Sequence, residues 1–198
     1  MVNGNLPTSL DGVSVTIDGK AAFVYYISPT QINVQAPSDS TTGAVNVVVN
    51  NNGNASAPAT AQLQAAAPAF FLFPGTNYAI ASRLPDYARV GPTAISGTIA
   101  AKPGDPVVLW GTGFGATNPP APAGVAVNGS PAVATTPTVT VGGVAVPVIS
   151  AGLTAGTAGL YQVTIQLPAT VPTGVVAVQA SVGGATTQAG VILFVGQP

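Results

Sequence analysis

Proline or glycine interrupts this chain every few residues, 24 glycines and 19 prolines among 198. Helices of ordinary length do not survive such punctuation, because Pro removes a backbone donor and Gly costs the most conformational entropy. Between the breaks the residues alternate apolar and polar, the period of a strand with one wet face. "GVSVTIDGKAAFVYYIS" reads as two strands about an Asp18-Gly19 turn, a strong hairpin signal. "PTVTVGGVAVPVIS" reads the same way about Gly142-Gly143.

One phrase recurs. "PTQINVQAP" at 29–37 and "LYQVTIQLP" at 160–168 both end an alternation with Gln, an apolar residue and Pro. Ile32, Val34 and Ala36 share one face, as do Val163, Ile165 and Leu167, while polar residues stand between them. Pro then ends the pairing. The flanking segments match in order: Val15–Gly19 with Val139–Gly143, and Thr42-Gly43 with Thr173-Gly174. An insertion around "GLTAGTAG" accounts for the change of offset. The pattern is a duplicated β-module.

Short strands at regular spacing predict an all-β fold of two tandem Ig-like antiparallel β-sandwiches. The predicted boundaries are an incomplete sandwich over 1–74, a connecting segment over 75–101 and a complete sandwich over 102–198. The second repeat opens on "PVVLWGTGF", Pro106–Phe114. In the first, "MVNGNLPTSLDG" aligns with the region just before the second hairpin, so an opening strand is missing. Three fillings follow: residues 94–101, a strand from a neighbouring molecule, or sequence of a longer parent. A lost strand exposes a sheet edge, which invites pairing with another chain.

"KPGDPVVLWGTGFGATNP" resembles the opening of an IPT/TIG-type immunoglobulin-like domain. Together with "LPTSLDGVSVTIDGKAAFVYYISPTQINVQAP" and "GLYQVTIQLP", it is similar to the C-terminal module of secreted Acidobacteria (Solibacter-type) proteins. The resemblance implies a secreted or surface-attached β-rich module and brings no catalytic residues with it.

Composition excludes several functions. Charged residues are 5% of the chain, against roughly 25% in ordinary domains. Clustered Lys and Arg are absent, so nucleic acid has no electrostatic footprint here. The apolar runs fall far short of a membrane-spanning helix, and residues 1–20 show no signal-peptide pattern. Without Cys or His there is no Ser-His or Cys-His pair and no zinc set. Carboxylate pairs would have to come from five scattered Asp residues, and no cofactor is predicted. A Lys–Asp or Lys–Asn crosslink has only Lys20 and Lys102 to draw on.

Binding candidates are confined to "NYAIASRLPDYARVG". Tyr78, Arg83, Asp86, Tyr87 and Arg89 are residue types that recognition surfaces use, and they serve equally as a polar clasp. Phe70, Phe71 and Phe73 form a cluster expected to pack rather than stand exposed. Trp110 is a core residue or a sugar-stacking platform. The predicted function is a non-enzymatic extracellular structural module, a filament or surface-layer subunit that self-associates or accepts a strand from another chain by β-strand complementation. The alternative is a module that binds polysaccharide or a surface partner.

Overall fold

The computed structural model describes residues 4–197, and every regular element among them is a strand. The first compact unit comprises the described residues up to Ala65, with Pro120–Ser130 and Thr154–Gly159. It holds β1 (Ser9–Leu10), β2 (Val13–Ile17), β3 (Lys20–Ala21), β4 (Phe23–Ser28), β5 (Gln31–Gln35), β6 (Gly43–Asn51), β7 (Asn54–Ala55) and β8 (Ala59–Leu63). The second unit comprises Ala66–Pro119, Pro131–Leu153 and the described residues from Leu160. It holds β9 (Ala69–Phe70), β10 (Ala81–Arg83), β11 (Arg89–Val90), β12 (Thr98–Ile99), β13 (Pro106–Thr112), β14 (Thr117–Asn118) and β15 (Ala132–Val133). There follow β16 (Thr138–Val141), β17 (Val144–Val146), β18 (Val148–Leu153), β19 (Tyr161–Gln166), β20 (Gly174–Val182), β21 (Ala185–Thr186) and β22 (Ile192–Val195).

One pairing scheme occurs twice, residue for residue. β2 pairs β6 with Val15 opposite Val49, and β16 pairs β20 with Val139 opposite Ala180. Thr16 faces Ala21 across the first hairpin, and Thr140 faces Ala145 across the second. The β4–β5 pair breaks register between Val24 and Tyr26, and the β18–β19 pair breaks it between Val148 and Ser150. These bulges fall at the same place in the repeat, as bulges kept by design do. The tight turns repeat too. Asp18-Gly19, Asn52-Gly53, Gly142-Gly143 and Gly183-Gly184 all have positive φ at both positions, as a type I′ hairpin turn requires.

The units differ in what covers the repeated strands. In the second, the edge of β19 away from β18 pairs with β13 from Pro106↔Gln166 to Gly111↔Tyr161. β13 in turn pairs with β10 and β9. Val107, Leu109, Val163 and Ile165 are completely buried there, against Val139, Val141, Val178 and Leu193 of the facing sheet. In the first unit β4 and β5 form a sheet of two strands. Its buried apolar residues are Leu6, Val15, Ala22, Val24 and Val45, joined by Val127 and Ala158 from the two inserted segments.

Those insertions are part of the first unit's structure. Asn5 bridges Val125 antiparallel, Leu6 N donates to Gly124 O at 2.7 Å, and Ala126 N donates to Gly4 O at 2.8 Å. Gly124 N also donates to the Gln35 side chain at 2.9 Å. Gly124 sits so close to the Phe23 ring that a Cβ would lie 2.2 Å from it. Thr154–Gly159 is closed onto the first insertion by Gly156 N to Val127 O and Val127 N to Thr157 O.

Residues 75–101, read as a connector, carry β10, β11 and β12 of the second unit's larger sheet. Within 94–101, Thr98 and Ile99 pair parallel with β11, and Ala101 bridges Val195. The compact units divide after Ala65, where the sequence reading carried the first sandwich to 74.

Candidate functional site

The five residues singled out in the sequence all lie in the second unit. Four of them belong to the turn joining β10 to β11. Arg83 ends β10 and its guanidinium grips both oxygens of Asp86, three residues on. Asp86 also accepts from Ala88 N at 3.3 Å. This hydrogen-bonded pairing holds the Asp86 carboxyl below its ordinary range and raises Arg83. Tyr87 sits at the tip with φ 54° and is 62% exposed. Arg89 lies with its guanidinium 4.9 Å from the centre of the Phe73 ring, a cation–π contact. Tyr78 is half-buried, bridges Ile192 and accepts from Phe73 N at 3.0 Å. Arg83 and Arg89 thus have partners within their own unit, while Asp86, Tyr87 and Arg89 are all exposed.

Of the aromatic cluster, Phe70 and Phe73 are buried and Phe71 is 42% exposed. Trp110 is half-buried and donates from Nε1 to Ser82 Oγ at 3.1 Å. Two exposed aromatics escaped the sequence reading. Tyr25 and Tyr26 stand 58% and 48% exposed at the bulge of β4. The adjacent "YY" was their only signal, and alternation alone would have put one of them inside.

Lys20 meets Asp39. Its Nζ lies 2.7 Å from Oδ1, which also accepts from Thr41 N at 2.9 Å, while Oδ2 is enclosed without a hydrogen-bond partner. The ammonium and the Thr41 N–H hold this carboxyl well below the usual carboxylate range. The geometry is that of an ion pair. Among the described residues no three acidic side chains cluster in a way that would hold a metal ion.

The other distinctive geometry is the outer edge of β5. Its counterpart β19 lies between two strands, whereas among the described residues β5 pairs with β4 alone. Ile32 and Val34, in the positions of the fully buried Val163 and Ile165, are half-exposed. An open groove of about 520 Å³ lies between the two sheets of this unit, lined by Val13, Ile27, Ile32 and Val49 with Asp11 and Asn51. Polar Gln31 and Asn33 occupy the opposite face of β5, where the Gln31 amide donates to Asn33 Oδ1 at 2.6 Å. The site therefore offers backbone donors and acceptors beside an apolar slot. That combination suits an extended peptide rather than a reaction.

Strand order, turn types and alternating burial define an all-β, immunoglobulin-like module. More particularly, residues 4–65 match the model of the IPT/TIG domain, a non-catalytic immunoglobulin-like family. The matched stretch carries β1 to β8, while "KPGDPVVLWGTGFGATNP" lies outside it. No curated protein matches the chain, and neither does any solved structure. No helix among the described residues is long and apolar enough to cross a membrane.

Proposed function

We propose that this chain is a non-catalytic structural module of an extracellular or cell-surface assembly, joined to its neighbours by β-strand complementation. The observation that carries the reading is the one-sided pairing of β5, set beside β19, which is paired on both sides. An open edge above an apolar groove favours strand addition, in which main-chain bonds give affinity and alternate side chains give specificity. The IPT/TIG match supports the location, since such domains are common in extracellular proteins. Near-neutral net charge, −1, removes the repulsion that keeps like molecules apart. Light scattering across a hundredfold concentration range, with electron microscopy of the same samples, tests this. Ordered assemblies growing with concentration are expected; a monomer at every concentration would remove the assembly role.

A second reading rests on Tyr25 and Tyr26. Two adjacent exposed tyrosines suit stacking on sugar rings, as a carbohydrate- or surface-binding module would use. Retardation in polysaccharide affinity gels, lost in Tyr25→Ala and Tyr26→Ala, is the result that would favour it.

A further inference from the structure

The repeat specifies what the open edge of β5 accepts. Because the two hairpins share pairing and bulge position, β5 and β19 superimpose in register: Ile32 stands for Val163, Val34 for Ile165, Gln31 for Gln162 and Gln35 for Gln166. In the second unit the partner is β13, antiparallel, with Val107 opposite Ile165 and Leu109 opposite Val163. Both of those side chains are fully buried between the sheets. We infer that β5 takes an extended segment of another polypeptide, antiparallel to it, with aliphatic residues two apart opposite Val34 and Ile32. This rests on the strand-complementation reading above and adds direction, register and side-chain chemistry to it.

Three observations restrict the occupant. The residue opposite Ile32 points into the groove lined by Val13, Ile27 and Val49, so a charged side chain there would be buried without a partner. The residue opposite Asn33 lies on the face that carries exposed Gln31 and Asn33, so that position accepts a polar side chain. Candidate segments of the chain itself are engaged elsewhere. Residues 98–99 pair with β11, and 124–126 bond to residues 4–6, reaching β5 through the Gln35 side chain and not through its backbone.

The chain supplies its own probe. A synthetic peptide of residues 102–113, "KPGDPVVLWGTG", carries the β13 strand and one tryptophan. It would be titrated into the intact chain while hydrogen exchange of the amides is followed. Saturable binding with slowed exchange at residues 31–34 is expected. The same peptide with Val107→Asp and Leu109→Asp should bind at least tenfold more weakly. In the protein, Ile32→Asp should abolish binding, while Asn33→Lys, on the opposite face, should keep it. Absence of saturable binding, equal binding of the two peptides, or protection confined to another edge such as β8 would overturn the inference. Light scattering on the same samples separates the two proposals. Assembly without peptide protection leaves the structural role and removes this register, whereas protection without assembly keeps the acceptor site and removes the assembly role.

Discussion

At the scale of the residue, the glycines of "GTGF" show why a small side chain was needed. A Cβ on Gly111 would lie 2.4 Å from Ala69 O, and one on Gly113 would lie 2.0 Å from Ala67 O. Gly113 also has φ +74°, a conformation that costs other residues roughly 1–3 kcal/mol. Gly113→Ala is therefore expected to destabilise the second unit by at least that amount in denaturant titrations. The close backbone of residues 67–69 is not legible in the sequence around these glycines. Next to them Phe114 is buried, with its ring 5.7 Å from Phe70 and 5.9 Å from Tyr161. Phe114→Ala should cost about 3–5 kcal/mol. Asp39 makes a different kind of prediction. Its pKa is lowered on folding, so its contribution is fully present above the unfolded value of about 3.9 and fades as pH falls below it. Thermal melts of the first unit should hold steady from neutral pH to about pH 5, then decline. Asp39→Asn should flatten that acid limb. Since Lys20 is 48% exposed, added salt should weaken the pair.

At the scale of the element, equal sequence patterns end in unequal burial. "QINVQ" and "QVTIQ" carry the same alternation, and both form strands against the preceding strand of their repeat, β4 or β18, with a bulge at the same place. Those strands were legible because alternation and turn chemistry are local. What lies on the far side of each strand depends on residues distant in sequence, and periodicity says nothing of them. Val163 is fully buried and Val34 is not. Val163→Ala should thus cost about 2 kcal/mol, and Val34→Ala about 1 kcal/mol or less. A chemical denaturation series on both variants checks this, and equal costs would contradict the difference in cover. Among the binding candidates, Arg83 and Asp86 close a turn within four residues, Arg89 meets the Phe73 ring and Tyr87 stands exposed. The β5 edge had its signal in the unmatched "PVVLWGTGF" strand of the repeat.

At the scale of the whole molecule, the first unit has the thinner core, and its amides should exchange faster than those of the second. Two unfolding transitions are expected, with the strands of residues 13–63 opening before those of 106–195, by hydrogen exchange or calorimetry. A single transition common to all strands would show that the units do not unfold separately. The insertion "TAGTAG" was legible only as a break in the repeat's offset, because nothing local says which unit a loop joins. Its membership of the first unit has a consequence in time. Residues 120–130 and 154–159 complete a unit whose strands end at Leu63. Synthesis runs from the N-terminus at ~5–20 residues per second, so the first unit waits roughly 5–20 s between the making of residue 65 and of residue 159. By then the β13 to β18 stretch of its successor is already made. The unit begun first is finished only while the second is being built, and until residue 124 is made Leu6 and Phe23 lack the backbone that packs against them in the finished protein.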